Sequence, residues 1–264
     1  MAHHVRMIGA FLKASIQQDL AYGANALVSL LGSVLRLVTG LMGVLVLFGQ
    51  TESVRGWSVD TTLAVLGVYL TVGALRDLFI SPSLEALTGM DGEVWDGRFD
   101  FTLLRPVDIQ FLASARHWRA FAALDLLLGM GVLEFATGQL GETMTVIHIA
   151  GFLAAMTAGM LTLYAIHLAF AALVFWSPGF LFTWVFNGLF QMARYPVGLY
   201  PGKLRLLLTW IIPVGVITTF PAQAITGDLS GGLLGGSLAF SIVLAGAASL
   251  FFRRSIRHYA SASS

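Results

Sequence analysis

The chain is 264 residues long, and 57% of its residues are hydrophobic while only 11% are charged. Soluble domains have about a quarter of their residues charged, so this composition, with a mean hydropathy of +0.81, excludes a soluble protein. The absence of cysteine excludes disulfides, thiolate nucleophiles and cysteine-ligated metals. A net charge of +1 gives no indication of a nucleic-acid partner. The sequence therefore predicts a single all-α integral membrane domain covering residues 1–264.

The first 22 residues are too polar to cross a membrane and have the pattern of an amphipathic helix. The apolar residues recur at three- and four-residue spacing opposite the polar ones: Val5, Ile8, Leu12, Ile16 and Leu20 against Arg6, Lys13, Gln17 and Asp19. This pattern predicts an interfacial helix over 1–22 that lies flat on the cytoplasmic face of the membrane. The alternative is an ordinary first turn that leads into the membrane.

Six apolar segments are predicted to cross the hydrocarbon core, which is ~30 Å thick. They are residues 26–48, 61–80, 117–136, 144–175, 179–194 and 229–252. A seventh apolar segment, 203–226, contains Pro213 and Pro221. Each proline removes a backbone hydrogen bond and bends a helix, and broken backbone is tolerated at membrane depth only where protein or water covers it. We therefore predict a re-entrant or broken hairpin on the outer side.

Basic residues near the cytoplasm decide the orientation of a membrane protein. With six spans, both termini share a side with the loop between the second and third spans. That side then holds ten basic residues: Arg6, Lys13, Arg76, Arg98, Arg105, Arg116, Arg119, Arg253, Arg254 and Arg257. The other side holds four: Arg55, Arg194, Lys203 and Arg205. The distribution favours six spans with both termini in the cytoplasm.

Three charged residues are expected inside the membrane. Arg36 lies near the middle of the first span, and Asp125 and Glu134 lie in the third. An arginine facing lipid costs at least ~2.5 kcal/mol, so Arg36 should face protein or water. Nine residues at ~100° each place Asp125 and Glu134 on opposite faces of a helix. Arg36 and Asp125 are candidates for a substrate pathway; alternatively, Asp125 is a structural partner of Arg36 or of a hydroxyl.

The charge of the chain is concentrated in one internal stretch, residues 76–119, which holds five of the fifteen basic residues and half of the acidic ones. Within it, Ser81-Pro82-Ser83 has the composition of a helix start. An apolar strip with acidic neighbours follows: Leu84, Leu87 and Met90 beside Glu85 and Asp91. A short cytoplasmic helix of this kind, in a loop over 81–108, fits a groove on another protein. The alternative is a loop that is only solvated.

Motifs typical of enzymes are absent from the sequence. It has no phosphate-binding loop, no His-Glu-x-x-His pair and no Gly-x-Ser-x-Gly elbow. His148 and His167 stand nineteen residues apart in one apolar segment, too far to share a metal, and are expected to be interior histidines with satisfied hydrogen bonds. We expect no catalytic, cofactor or metal site on this chain.

The segment from Asp91 to Val107, DGEVWDGRFDFTLLRPV, resembles the "G-x-hydrophobic-D-x-x-L-L-R-P-hydrophobic" signature of one branch of type-2 ATP-binding-cassette (ABC) permeases. The tail of that branch is also similar to Tyr195-Pro196, Tyr200-Pro201, Ile212-Pro213 and Phe220-Pro221-Ala222. The resemblance covers nearly the whole chain, from the amphipathic start to the basic end.

The resemblance implies a six-span exporter half of a bacterial plasma membrane, with a connector helix before the first span and outer re-entrant elements before the last. It also implies a coupling helix that contacts a separate cytoplasmic ATPase dimer, to which ATP and Mg²⁺ would bind. Such permeases typically pair with a second permease, identical or homologous. The candidate coupling residues are Leu84, Glu85, Leu87, Met90, Asp91, Leu104 and Arg105.

Two other functions are compatible with the sequence. A stand-alone secondary transporter would use Asp125 and Glu134 for proton coupling and the broken segment at Pro213 as its site. A membrane-embedded enzyme is disfavoured because no clustered catalytic set is evident. An ATPase that copurifies with the chain would separate the ABC exporter from both. The expected cargo is hydrophobic or amphipathic: drug-like, lipid-like or a peptide.

Overall fold

A computed structural model describes residues 2–21, 23–89, 91–141, 144–177 and 182–259. Most of them are helical. The α-helices are α1 (Ala2–Ala21), α2 (Gly23–Phe48), α3 (Val59–Leu75), α4 (Ser81–Glu85), α5 (Phe99–Leu103), α6 (Ile109–Ala115), α7 (Ala122–Gln139), α8 (Val146–Leu173), α9 (Phe182–Phe190), α10 (Gly202–Leu206), α11 (Phe220–Ile225) and α12 (Gly231–Ser255). The 3₁₀ and π-helical turns are Arg76–Ile80, Gln191–Arg194, Val197–Leu199, Leu207–Ile211, Gly215–Thr219 and Ile256–His258. A two-stranded antiparallel hairpin, β1 (Ser53–Val54) with β2 (Trp57–Ser58), connects α2 to α3.

Within the described ranges, four helical segments are long and apolar enough to cross a membrane: Leu27–Phe48, Val59–Glu85, Val146–Leu173 and Gly231–His258. They correspond to the first, second, fourth and sixth predicted spans, and they confirm an α-helical membrane protein. The third predicted span corresponds to α7, which carries Asp125 and Glu134 and is not among the four. The fifth, 179–194, begins outside the described residues and continues as the nine-residue α9. The count of six stays a prediction.

Helix α3 lies at the centre of the fold, and α7 packs closely along it. Two glycines make this approach possible. A Cβ added at Gly67 would lie 2.7 Å from the backbone nitrogen of Leu133, and one added at Gly129 would lie 2.6 Å from the backbone nitrogen of Thr71. No side chain fits at either position without moving the opposite backbone, so the two helices interlock through these glycines.

Residues 81–89 and 91–121, which we call the polar unit, lie at one end of the long helices and contact both terminal helices. The backbone N–H of Trp118 donates to Ser15 Oγ of α1 at 3.1 Å. At the other end of the chain, Arg253 of α12 forms an ion pair with Asp108 at 3.0 Å. Both α1 and the end of α12 therefore lie at the same end of the molecule, and we call the opposite end the far end.

Helix α9 runs from the polar-unit end towards the far end, antiparallel to α3. Arg76, just after α3, donates from Nη1 to Asn187 Oδ1 at 2.9 Å. Further along α9 and further back in α3, the rings of Phe190 and Tyr69 pack with their centroids 5.1 Å apart. Later residues of α9 thus meet earlier residues of α3.

The segment before α12 leaves the far end and returns to it. At its start, Arg55 in the β-hairpin donates to the carbonyl of Tyr200 at 3.0 Å. At its finish, a Cβ added at Gly227 would lie 3.2 Å from His148 Nε2, and His148 belongs to the far-end start of α8. Between them the chain is bent by 75° at Pro213, and the two bent pieces are Gly202–Ile211 and Gly215–Ile225. The predicted break at Pro213 is therefore present.

Large apolar side chains cover the outside of the long helices. Examples are Val46 on α2, Leu127 on α7 and Val243 on α12, which are 82%, 67% and 72% exposed. Such a surface is unfavourable in water and is expected where helices face lipid or another membrane-embedded chain.

Candidate functional site

The polar unit begins without a break in the helix that precedes it. We predicted a serine-capped helix start at Ser81-Pro82-Ser83, and this is wrong. Helix α4 follows the π-helical turn directly, and Ile80 before it is already helical, so no free backbone N–H groups need a cap. Ser83 instead forms hydrogen bonds with His117: its Oγ donates to the carbonyl of His117 and accepts from the N–H of His117, both at 2.8 Å.

The predicted apolar strip does not face outwards. Leu84 and Leu87 are 1% and 2% exposed and belong to the core of the chain. The expectation that they form an exposed docking strip is therefore wrong, because the loop folds back over them instead of leaving them on an isolated helix. Met90 lies outside the described residues. Glu85 is half-buried and Asp91 is exposed.

The exposed apolar surface of the polar unit lies further along the chain, in and after α5. Phe101, Leu103 and Leu104 are 69%, 37% and 81% exposed. Arg105 and Pro106, which follow, are also exposed. We call these five residues the 101–106 patch. Of the predicted coupling residues, the patch contains Leu104 and Arg105. Phe101 and Leu103 were not among the predicted residues, and their exposure in the structure adds them to the candidate site.

Helix α5 is anchored from behind by an aromatic cluster. Phe99 is fully buried, and its ring centroid lies 5.2 Å from those of both Phe175 and Tyr259. Phe175 follows α8, and its ring is 5.9 Å from that of Phe252 near the end of α12. The 101–106 patch is thus backed by side chains from the ends of two membrane helices.

A buried ion pair holds the polar unit together. Glu93 pairs with Arg116, and their side chains are only 8% and 18% exposed. Arg116 also donates to Thr102 Oγ1 of α5 at 3.0 Å and to His117 Nε2 at 3.1 Å. Burial lowers the pKa of Arg116. The pKa of His117 is lowered by burial first and then by the neighbouring charges of Arg116 and Arg98. The pair links the turn after α4, helix α5 and the connection before α7.

Helix α1 contacts the same connection through polar side chains. Ser15 accepts from the backbone N–H of Trp118, and Asp19 Oδ2 accepts from the N–H of Ala120 at 2.8 Å. The sequence placed Asp19 on the solvent face, opposite Ile16. In the structure Asp19 faces the chain and Ile16 is 38% exposed, because the non-helical residues before α7 leave N–H groups that need acceptors.

The intramembrane residues Arg36 and Asp125 form a pair. Arg36 Nη2 lies 3.2 Å from Asp125 Oδ2 and also donates to Ser33 Oγ at 2.9 Å. Asp125 is 12% exposed, whereas the arginine side chain is 45% exposed. The proposed pairing of Asp125 with Arg36 is confirmed, while their role in a pathway stays a prediction.

A second ion pair, which sequence reasoning missed, lies near the first, and both pairs line one cavity of about 150 Å³. Arg76 donates from Nε to Asp77 Oδ1 at 2.8 Å, its Nη2 lies 2.8 Å from the same oxygen, and its guanidinium lies 5.1 Å above the ring of Phe190. Its Nη1 binds Asn187 of α9. The adjacent Arg76 and Asp77 at the end of the second span could have indicated such a pair, but nothing in the sequence joins them to Asp125 or Asn187.

Glu134 lines a different cavity, of about 1020 Å³, between α3, α7 and α8. Asp125 and Glu134 therefore do not share a site, as their helical spacing indicated. His167 is buried with its Nδ1 2.9 Å from the carbonyl of Leu163, which confirms a satisfied interior histidine. In the described part of the chain, no three histidine or acidic side chains are grouped closely enough to hold a metal.

Comparison with known protein families matches residues 34–263 to the family described as ABC-2 family transporter protein. Comparisons with curated proteins and with solved structures found no match. The family match covers far more than half of the chain, and with the long apolar helices it identifies a multi-pass membrane protein, the permease subunit of an ABC transporter and not its catalytic subunit. The predicted resemblance is thereby confirmed at the level of the family: the chain belongs to the ABC-2 family of transporter proteins.

Proposed function

We propose that the chain is one permease half of an exporter that moves hydrophobic or amphipathic substrates across the plasma membrane of a bacterium. Energy comes from a separate cytoplasmic ATPase dimer, which binds ATP and Mg²⁺. A second permease, identical or homologous, completes the membrane part. Family membership supports the permease role, and the partners, cargo and direction are the proposed part.

The observation that carries the proposal is the 101–106 patch. Leu104 is 81% exposed and Phe101 69% exposed, yet both lie in the most polar part of the chain, where lipid would not cover them. Exposed apolar groups rimmed by polar residues mark protein interaction sites. Arg105 beside Leu104 offers a charged contact at the rim. Because the membrane subunit of an ABC transporter must respond to ATP hydrolysis, we assign the ATPase to this patch.

The anchoring of the patch supports a role in coupling. Phe99 behind it packs on rings from the ends of α8 and α12. Thr102 binds Arg116, which joins the connection into α7. A displacement of α5 by the ATPase would therefore be transmitted through packed side chains to three membrane helices, α7, α8 and α12.

The arrangement of the ends supports cytoplasmic termini. The polar unit contacts α1 through Ser15 and α12 through Arg253, so both terminal helices reach the end of the molecule that contains the arginines of the polar unit. Basic residues concentrate on the cytoplasmic side. The polar unit then faces the compartment that contains ATP.

The test is copurification of the ATPase with Leu104 variants. Leu104→Asp places a charge in an apolar interface, where truncation of a central contact alone costs ~2 kcal/mol or more, so the ATPase and substrate-stimulated hydrolysis should be lost. Leu104→Met, which conserves volume and polarity, is the matched control and should retain both. Retention of the ATPase by Leu104→Asp would show that the patch is not the coupling surface.

Leu84 provides a second comparison. It is 1% exposed, so Leu84→Asp buries a charge and should prevent folding of the polar unit, with loss of the whole protein from the membrane. Leu104→Asp should instead reach the membrane in normal amount. The two variants thus separate docking from folding.

A further inference from the structure

The cavity between α2, α3, α7 and α9 contains two ion pairs, and their arginines differ in how many of their contacts are already made. Arg76 is engaged on every side, by Asp77, Asn187 and the ring of Phe190. Arg36 is not. Only its Nη2 forms hydrogen bonds among the described residues, and its side chain is 45% exposed. Within the described residues, Arg76 is therefore held in place by its contacts, whereas Arg36 has N–H donors that are available to a ligand.

Asp125, which supplies negative charge to the cavity, also has hydrogen-bonding capacity that the described residues leave open. Asp125 accepts from Arg36 through Oδ2, and within the described residues its other oxygen has no hydrogen bond. The side chain of Gln191 also lines the cavity and is exposed. At about 150 Å³, the cavity has room for on the order of ten water molecules, or for a small polar group.

The charges in this cavity balance. Two arginines face two aspartates, so an added ligand with a net charge would remain uncompensated inside the membrane, which is costly. A ligand that carries one negative and one positive group adds no net charge and avoids this cost. Its anion would meet the free donors of Arg36, which suit phosphate and carboxylate oxygens, and its cation would meet Asp125.

A second cavity continues along the same face of α2. It measures about 530 Å³ and is lined by Met42, Gly43 and Leu47 of α2 together with Tyr195 and Tyr200. Gly43 lies seven residues after Arg36, on the same side of the helix. Its volume and apolar lining are those of a ligand pocket.

The spacing of the two cavities fits one elongated ligand. Leu37 lines the charged cavity and Met42 the apolar one, and five residues of helix separate them by about 7.5 Å. The charged cavity lies towards the polar-unit end, since Asp125 is in the first turn of α7. A lipid-like molecule would therefore sit with its head towards the polar unit and its chain towards the far end.

From these observations we infer that the two cavities form a binding site for an amphipathic molecule with a zwitterionic head group, held by Arg36 and Asp125, and an apolar chain along Met42 to Leu47. The inference deepens the proposed export function and rests on it for the statement that such a molecule is cargo. The orientation of the site is that of a lipid in the leaflet next to the polar unit, which is the loading side for an exporter.

The first test compares three probes that share one acyl chain and differ in the head. They are lysophosphatidylethanolamine, which is zwitterionic, lysophosphatidic acid, which is anionic, and monoacylglycerol, which is uncharged. Affinities for the purified full chain, with whatever partners copurify, follow from the dependence of the melting temperature on probe concentration. We expect the zwitterion to bind at least tenfold more tightly than either relative. Equal affinities, or tighter binding of the anion, would overturn the inference.

The second test removes both charges together, so that the cavity stays neutral. Arg36→Gln combined with Asp125→Asn should raise the Kd for lysophosphatidylethanolamine at least tenfold. Glu134→Gln, on the same helix but in the other cavity, is the control and should stay within twofold. An unchanged Kd in the double variant contradicts the head-group assignment.

A variant outside the charged cavity keeps the inference testable if that double variant does not assemble. Val46 is 82% exposed and lines the apolar cavity, so Val46→Trp should fill the cavity without disturbing the core. We expect a several-fold loss of affinity for the long-chain probe. No loss in a folded Val46→Trp protein would refute the assignment of the chain site.

The source of the ligand is decided in proteoliposomes that contain the chain and its ATPase. ATP-dependent movement of a labelled lysophosphatidylethanolamine identifies cargo, whereas binding without movement identifies a resident membrane lipid at the same site. Whether an ATPase copurifies is measured without any probe, so failure of the proposed function is distinguishable from failure of this inference.

Discussion

Arg116 and Glu93 form an ion pair that is buried within the polar unit, although the two residues belong to different turns of it. Their side chains are 18% and 8% exposed, and Arg116 continues the contact to Thr102 of α5. The most charged part of this membrane protein is thus a folded unit with an ionic centre. That organisation explains how an exposed patch can be held rigidly against the membrane helices.

Breaking this pair should destabilise the polar unit strongly. Arg116→Ala leaves Glu93 charged, buried and without its cation, which typically costs about 3–5 kcal/mol. Arg98→Ala is the matched control: its pair with Asp96 has side chains 58% and 38% exposed, and such pairs contribute at most ~1 kcal/mol. Melting temperatures of the two purified variants give the comparison. Equal shifts would mean that the Arg116 pair is not structurally dominant.

The contact between α3 and α7 should depend on its two glycines. Gly129→Ala places a methyl group where the backbone of Thr71 lies, so the helices must separate, at a cost of about 1–3 kcal/mol. Gly131→Ala, on the same helix, meets nothing within 4 Å and should be neutral or slightly stabilising, because alanine favours a helix over glycine by about 0.5–1 kcal/mol. Thermal unfolding in detergent distinguishes the two. A drop in melting temperature for Gly131→Ala as large as that for Gly129→Ala would argue against the interlocked packing.

Acid should weaken the polar unit through His117. Arg116 Nε donates to His117 Nε2, so that nitrogen is unprotonated in the fold, and burial with the charges of Arg116 and Arg98 holds the pKa of His117 below its ordinary 6.5. Glu93 Oε1, 3.8 Å away, opposes this shift. A depressed folded-state pKa means that the stabilisation is present above pH 6.5 and is lost as the pH falls through the folded value.

The measurement is the change in melting temperature between about pH 7.5 and pH 5. His117→Gln keeps a neutral acceptor but cannot titrate, so its melting temperature should fall less on acidification than that of the original protein. His258→Gln, at an exposed position after α12, is the matched control variant. An identical acid response in His117→Gln would exclude His117 as the titrating group.

Single cysteines can test the topology, since the chain has none of its own. Thr51, Lys203 and Asp228 are exposed at the far end, whereas Arg98 and Arg257 are exposed at the polar-unit end. In intact cells an impermeant maleimide should label cysteines at the first three and not at the last two. Labelling at 203 but not at 228 would show that the segment bent at Pro213 crosses the membrane.

Much of the fold follows from local properties of the sequence. Continuous apolar runs of membrane length form helices in lipid, because a helix satisfies its backbone hydrogen bonds within the segment, and four of the predicted spans reappear with similar bounds. The bend at Pro213 follows from the chemistry of proline itself. Asp125 and Glu134 of the third span do not share a site, because a helix fixes the angle between its own side chains.

The candidate site was less accessible from the sequence. Leu84 and Leu87 have the pattern of an exposed amphipathic turn, and they are buried because the following loop folds back over them. Ser81-Pro82-Ser83 has the composition of a helix start, yet a helix already in progress passes through it. Both errors come from treating a segment as isolated when its neighbours in space come from elsewhere in the chain.

By itself the sequence determined the membrane class, the apolar segments, the position of the polar unit and the resemblance that led to the family. These depend on hydrophobicity, periodicity and short motifs, which act within a few residues. Only the tertiary structure decided that Arg76 meets Asn187 and that Glu93 meets Arg116. For Asp125, it decided between the two partners that the sequence left open, in favour of Arg36. The physical reason is that charges must find partners at membrane depth or under a folded loop, and the partner that each one finds depends on how distant helices pack.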